Sequence, residues 1–510
     1  MSRLTKISLL LAFFFGFDKI LGILRQVIIA RQFGLSAELD AFNVANNLPS
    51  MLYALISGGA LAIAFIPVLS ETLTKDGRKP AWELFSRIAN LAFLITGAFS
   101  IIIAILASPL VSWQVGIAPG FNSQQQQLVV ELMRLNLIAT LIFSISGLVM
   151  AGLQANQHFL LPAIAPLLYN VGQIFGAIIL APTKGYSFGS ITLPAFGLGV
   201  QGLVYGVIIG AVLHLGIQIP GLIRYQFHWI PQIGLDNAAV RKVLRLMGPR
   251  IGSVFFIQLT VLIRGNLGSR LSPGSVSALS YGWMIMQVPE TLIGTAIATA
   301  LLPTLAEQIA RNDGQAFKDT IERAIRVLLA ISIPVSVILS FGLGPLISFV
   351  FKFDPQQSDL LLWVTRGYLV GLAGQCALEV AARSFYARQE PFVPLLASGV
   401  NVCLYIILGI LLYRPLGAAG ISLTDSLAFT TECIILLIVL NRRMLNPFTF
   451  GTTFTRAIVA AVAGGTVAAI GIHLAGQGLK AVLVTSTAMV AGAVIIMPLI
   501  WKEFRLLIRL

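Results

Sequence analysis

Long apolar runs separated by short polar loops recur from one end of the chain to the other. At 1.5 Å of rise per residue, about twenty apolar residues cross a hydrocarbon core of about 30 Å. Runs of that kind lie near 5–33, 40–70, 83–111, 127–153, 160–182 and 198–222. A second set follows near 240–268, 277–306, 324–351, 360–386, 393–413 and 418–441, and two more near 455–476 and 480–501 close the chain. The runs are continuous rather than alternating, which excludes a closed β-barrel. The pattern predicts an all-α membrane protein with about fourteen transmembrane helices.

Composition agrees. Of 510 residues, 57% are hydrophobic and only 11% charged, whereas a water-facing domain carries roughly a quarter charged residues. The net charge of +14 raises nucleic acid as a partner, but the cations sit in loops between apolar runs and form no basic stripe, so none is expected. Lys75, Arg78, Lys242, Arg245, Arg311 and Arg443 fall on one side of the alternating spans, and few cations fall opposite. The positive-inside rule then puts both termini in the cytoplasm, which an even number of spans requires. The N-terminal run resembles a signal peptide only superficially: Asp18 and Lys19 interrupt it, so it is read as a retained first helix. Cys376, Cys403 and Cys433 lie inside apolar spans without paired spacing and read as free thiols.

An internal duplication is visible. The stretch Gly58-Gly59-Ala60-Leu61-Ala62 through Pro67 to Glu71 aligns with Gly294-Thr295-Ala296-Ile297-Ala298 through Pro303 to Glu307, and the same register carries Pro109-Leu110 onto Pro345-Leu346. Further on, Ala155, Gln157 and Pro162 match Ala387, Gln389 and Pro394, and Gly199 and Gly202 match Gly417 and Gly420. The expected organisation is therefore an N-lobe at 1–226, a C-lobe at 237–444, and an added helix pair at 452–510. Each repeat holds an even number of spans, so both insert with the same orientation. Such parallel repeats are a transporter arrangement in which substrate sits between the halves.

Catalytic and cofactor motifs are decoys or missing. Gly197-Leu198-Gly199-Val200-Gln201-Gly202 spells a dinucleotide fingerprint, but it opens a membrane helix with no βαβ unit, so close helix packing is the better reading. The four histidines are scattered, and no nucleophile triad or phosphate loop stands out; no enzyme, cofactor or metal is expected. Charges inside spans are the informative signal, since each costs a few kcal/mol at the bilayer centre. Asp18 and Arg25 are seven apart and share a helix face, with Lys19 on the neighbouring one; Asp40 opens helix 2. Helix 7 carries Arg250 and Arg264 nearly in line, with Ser253 and Thr260 between. One reading is a central cavity between the halves, lined by Lys19, Arg25, Asp40, Arg250 and Arg264, whose cations would bind an anion such as pyrophosphate. The alternatives are an internal ion pair for Asp18 and Arg25, and snorkelling to the interface for Arg250. Glu290, Arg366, Glu379, Asp425 and Glu432 are candidate ion or proton sites or interhelical charge pairs. Pro49, Pro67, Pro289 and Pro303 are candidate hinges or simple bends in helices 2 and 8.

Leu21-Gly22-Ile23-Leu24-Arg25-Gln26, Ala30-Arg31-Gln32-Phe33-Gly34 and Asp40-Ala41-Phe42-Asn43-Val44-Ala45 resemble the MurJ/MviN lipid II flippase family. Leu48-Pro49, Ala64 through Leu69, Pro119-Gly120-Phe121, Met247-Gly248-Pro249 and Gly294 through Leu305 extend the resemblance over nearly the whole chain. It implies membership of the multidrug/oligosaccharidyl-lipid/polysaccharide exporter group and a bilobed alternating-access flippase in the bacterial cytoplasmic membrane. Its cargo would be undecaprenyl-pyrophosphate-linked peptidoglycan precursor for cell-wall synthesis. Driving force would come from membrane potential or a coupling ion, with cell-wall synthesis machinery and membrane lipids as partners and a lipid-tail groove at the last two helices. Arg25 and Asp40 stand where the family has Arg and Asp, and Lys19 replaces an Arg. Tyr53, Gly58, Trp283 and Met284 occupy positions where the family carries charge; Arg264 is a candidate replacement for one missing cation. The alternatives are a flippase for another polyprenyl-linked glycan and a drug or cation antiporter, which would need acidic residues poised in its cavity. A non-transporting scaffold is the last.

Overall fold

The computed structural model describes residues 3–56, 59–444, 447–474, 476 and 478–507, with backbone alone at 3–10, 12, 59–63, 188, 191, 249, 250, 253 and 507. These residues divide into two compact units, Met1–Arg270 and Leu271–Leu510.

Unit 1 holds α1 (Arg3–Phe33), α2 (Ala37–Ala45), α3 (Asn47–Ile56), α4 (Gly59–Lys75), α5 (Arg78–Ile105), α6 (Ala107–Ser112), α7 (Ser123–Ala155), α8 (Leu160–Phe175), α9 (Gly199–Gly216), α10 (Ile219–Arg224) and α11 (Ala238–Ser269). A two-residue ladder, β1 (Ser187–Phe188) on β2 (Ile191–Thr192), is the sole strand pair among the described residues. Side-chain caps start several helices. Ser36 Oγ accepts from Leu39 N, and Asn122 and Gln125 form a reciprocal capping box at α7. The apolar core gathers Trp82, Phe85 and Phe227 edge to face, with Phe65 tilted against Phe85. Glycines set the closest approach. A Cβ at Gly176 would sit 2.6 Å from Gly206 Cα, and one at Gly202 2.6 Å from Ala181 N. Of the glycines read as close packers, Gly202 is thus pressed against the backbone that follows α8, whereas a Cβ at Gly199 would meet open space and one at Gly197 would come no nearer than 3.7 Å to Thr183.

Unit 2 holds α12 (Ser275–Glu290), α13 (Ala296–Ala310), α14 (Gly314–Phe351), α15 (Pro355–Leu369), α16 (Leu372–Ala387), α17 (Phe392–Arg442), α18 (Thr453–Leu474) and α19 (Gly478–Leu507). The last two pack on each other and on α14. Small residues allow it: a Cβ at Gly464 would lie 2.8 Å from Ile338 and 2.9 Å from Ile496.

Nine helical stretches among the described residues are long and apolar enough to cross a bilayer. The remaining apolar runs of the sequence fall outside that measure for physical reasons. The 37–75 segment breaks into three helices and 355–387 into two, and α17 joins two rods at Gly417 (φ 59°, ψ −141°). The α1 helix carries Asp18, Lys19 and Arg25, and only Val254–Ser269 of α11 is apolar. Of the hinge candidates, Pro49 lies in the first turn of α3, and Pro67 and Pro303 lie inside α4 and α13. Pro289 ends α12 just before a π-helical turn, Thr291–Thr295. Proline donates no N–H and crowds the preceding turn, which suits such a break.

Positions matched by the duplication carry the same local geometry. Gln157 (φ 56°) and Gln389 (φ 58°) both sit left-handed after their helices. His158 N bonds Leu153 O in one repeat and Glu390 N bonds Phe385 O in the other; both are Schellman terminations. Gly199 (φ 56°) and Gly417 (φ 59°) share a positive φ. Glu71 pairs with Lys75 and Glu307 with Arg311, each one turn apart.

Candidate functional site

The charges of α1 converge on a residue of α8. Arg25 Nη1 donates to Asn170 Oδ1 at 2.8 Å, and Asn170 Nδ2 donates to Asp18 Oδ1 at 2.8 Å. Seven residues of regular helix place the carboxylate and guanidinium two turns apart on one face. A single amide spans the gap, offering its carbonyl to the cation and its N–H to the anion. Asn170 is buried and Lys19 is exposed on the adjacent face. The amide therefore joins Asp18 and Arg25 as an indirect pair.

Asp40 is buried in α2, which packs on α7 and α9. Tyr53, at a position where the resemblance leads one to expect arginine, is instead in an aromatic chain. Its ring lies 5.5 Å from Phe143, which lies 5.0 Å from Tyr169 and 5.4 Å from His214. His214 Nδ1 and Ser146 Oγ are 2.6 Å apart, and Gln218 donates to Ser146 Oγ at 3.0 Å. Neutral groups fill that region. Gly58, the neighbouring departure, lies outside the described residues.

The α11 helix packs on α3 and α4. Lys242 Nζ reaches Glu71 Oε2 at 2.7 Å, and Lys75 reaches Oε1 of the same group at 2.8 Å. The hydrogen bonds and charges of these lysines pull the exposed Glu71 carboxyl down to about 2. At its other end α11 is stapled to the 114–121 loop. Asn266 donates to Gln114 O and Gly116 O at 2.9 and 2.6 Å, and Gly120 N donates to Ser269 Oγ at 3.2 Å. Half-buried Arg264 and buried Thr260 lie along this helix. Arg264 thus belongs to the same compact unit as Arg25. The side chains of Arg250 and Ser253 lie outside the described residues.

Unit 2 sorts the acidic candidates into three settings. Glu290 accepts from Thr295 Oγ1 at 3.0 Å and Thr291 Oγ1 at 3.4 Å, both on the π turn. It lies within electrostatic reach of Glu379 and Arg383, which pair one helical turn apart. Asp425 accepts from Tyr405 Oη at 3.2 Å. Glu432 takes Ser398 and Asn401 at 2.7 and 2.9 Å. Trp283 is edge to face with Tyr368 at 5.4 Å. Among the described residues no three His, Cys, Asp or Glu side chains are grouped to hold a metal.

Asn170 and the hydroxyls around Glu290 escaped the sequence reading. Asn170 is one polar residue in the apolar run 160–182, a weak signal that a buried partner exists.

The family model described as "Lipid II flippase MurJ" matches residues 29–500. A protein named "Lipid II flippase MurJ" from Burkholderia cenocepacia is 29% identical over 440 residues, spanning 84% of this chain and 81% of its own. The fold is similar to that of "Lipid II flippase MurJ, inward closed conformation", with a TM-score of 0.77 at 21% identity, covering 96% of this chain and 99% of that one. It is also similar to an inward-facing multidrug resistance MATE family transporter of the MOP superfamily, with a TM-score of 0.67 at 15% identity over 83% and 94%.

Proposed function

Because the chain belongs to the lipid II flippase MurJ family, we propose that it carries undecaprenyl-pyrophosphate-linked peptidoglycan precursor across the bacterial cytoplasmic membrane by alternating access. The single observation that carries the reading is the family match over 29–500. It works as a transporter without catalytic chemistry, as a multi-pass protein with both termini cytoplasmic. The repeats at 1–226 and 237–444 form its lobes, and 452–510 is the added pair that meets the lipid tail. Its partners are the lipid-linked saccharide, membrane lipids and the cell-wall synthesis machinery.

Cations on α1 and α11 engage the pyrophosphate. A guanidinium offers five N–H donors in a planar fork suited to phosphate oxygens, and Lys19 adds a point charge. Asn170 holds Arg25 in place, and an incoming pyrophosphate competes with it for the guanidinium. Arg264 and Arg250 supply cations from α11, while Asp40 orients its neighbours. Glu290, Glu379 and Asp425 serve ion coupling to the membrane potential. Pro49, Pro67, Pro289 and Pro303 serve as hinges.

The aromatic surroundings of Tyr53 and Trp283 favour a second reading, in which the lipid carries a different glycan. Both readings face one experiment: cells depleted of their own lipid II flippase are given this chain or its Arg25→Ala variant. Growth restored by the parent chain alone supports lipid II and the role of Arg25. Failure of both, with another polyprenyl-linked saccharide still moved in vesicles, moves the assignment to the second reading.

A further inference from the structure

The faces of α5 and α7 that meet in unit 1 leave a groove of about 600 Å³. On α5 it is lined by Phe93, Gly97, Ser100 and Ala104, spaced four, three and four apart and so on one helical face. Leu141, Leu137 and Arg134 line it from α7. Its lining is apolar but for Ser100 at mid-depth and Arg134 at one end. Gly97 provides the hollow: a Cβ there would come no nearer than 3.9 Å to Leu141. Phe93 and Ile101 remain 42% and 63% exposed, so the groove opens outward rather than into the core.

Its dimensions suit one membrane leaflet. From Phe93 to Ala104 is eleven residues, about 16 Å of helix, against about 15 Å for half the hydrocarbon core. Arg134 Nε donates to Ala104 O at 3.0 Å, which fixes the guanidinium at the end of α5. No ion pair joins Arg134 to a carboxylate among the described residues. Ser100 is 4% exposed, and its hydroxyl has no hydrogen-bond partner among the described residues. It lies four residues before Ala104, about 6 Å below the guanidinium. A cation at one end of an apolar trough matches a phosphate followed by an acyl chain, in that order.

We propose that this groove binds an anionic phospholipid, with its phosphate on Arg134 and one acyl chain along the α5–α7 trough. The site is separate from the α1–Asn170 cluster and does not depend on which glycan the chain carries.

The test uses the full purified chain in detergent, titrated with phosphatidylglycerol or phosphatidylcholine of matched chains and followed by native mass spectrometry. One saturable phosphatidylglycerol is expected. Arg134→Gln, which keeps a donor for Ala104 O but removes the charge, should weaken it about fivefold to tenfold and leave phosphatidylcholine unchanged. Ala98→Trp, which fills the exposed side of the trough, should weaken both lipids. If Arg134 only caps α5, Arg134→Gln lowers the melting temperature without changing lipid binding, and the proposal fails. It fails equally if both variants retain parental lipid binding, which marks bulk annular lipid, or if polyprenyl phosphate displaces phosphatidylglycerol at the same site with higher affinity.

Discussion

Asn170 is where a substitution of one side chain tests most about the α1 charges. Leucine at 170 would remove both 2.8 Å bonds and leave Asp18 and Arg25 facing an apolar surface. Losing the partner of a buried polar group costs about 1–3 kcal/mol, so Asn170→Leu should lower the melting temperature by several degrees and reduce transport. The diagnostic measurement is a double-mutant cycle with Asp18→Asn. A bridging amide makes the combined loss smaller than the sum by about 1 kcal/mol, whereas strict additivity would mean that Asn170 packs without bridging. Half of this arrangement was legible beforehand, because a spacing of seven puts Asp18 and Arg25 on one face whatever surrounds them. The amide was not legible: it lies 145 residues from Arg25, and no local pattern reports which helix faces which. Tyr53 was visible as a departure, but its ring contact with Phe143 depends on another helix, α7, and could not be read.

Helix ends are better recorded in the chain than helix partners, because termination is local chemistry. The Ala-x-Gln match at 155–157 and 387–389 already indicated equivalent positions, and both glutamines take a left-handed conformation. An L-residue there costs about 1–2 kcal/mol relative to its preferred backbone, and glycine returns about 0.5–1 kcal/mol of that through its larger unfolded-state freedom. Both side chains are exposed, so little packing is lost on replacement. Gln157→Gly and Gln389→Gly should therefore each raise stability by roughly 0.5–1 kcal/mol, measured as matched increases in melting temperature. A gain in one repeat with a loss in the other would show that the two terminations are not equivalent under load. Breaks inside spans were only partly legible. Pro289 announced a bend, but the π turn that follows it depends on packing: a Cβ at Gly294, within that turn, would lie 2.8 Å from Cys376 Cα.

Over the whole molecule, the repeat pattern and the compact units answer different questions. The duplication places helix 7 at the start of the second copy, yet the contacts divide the chain after Arg270. The bonds from Asn266 and Ser269 to the 114–121 loop and the packing of α11 on α3 and α4 account for this, and no sequence period encodes them. The added pair at the C-terminus is likewise secured by specific chemistry as well as apolar contact. Glu503, only 1% exposed in its side chain, accepts from Thr453 Oγ1 at 3.2 Å and from Arg456 Nη1 at 3.3 Å, with Arg326 Nη2 at 3.9 Å. One carboxylate so ties α14, α18 and α19. Removing one partner of a buried pair costs about 3–5 kcal/mol. Here the arginine side chains are 28% and 31% exposed, and water absorbs part of the loss, so about 2 kcal/mol is expected for Glu503→Ala. Because the clamp joins the pair to α14, that loss should appear as loosening of the pair. Limited proteolysis between Arg443 and Thr453 should accelerate in Glu503→Ala, with unit 1 protected as before. Arg456→Met keeps Arg326 and Thr453 against the carboxylate and should give an intermediate rate. Parental cleavage rates in both variants would mean that the Gly464–Ile338–Ile496 contact alone holds the pair.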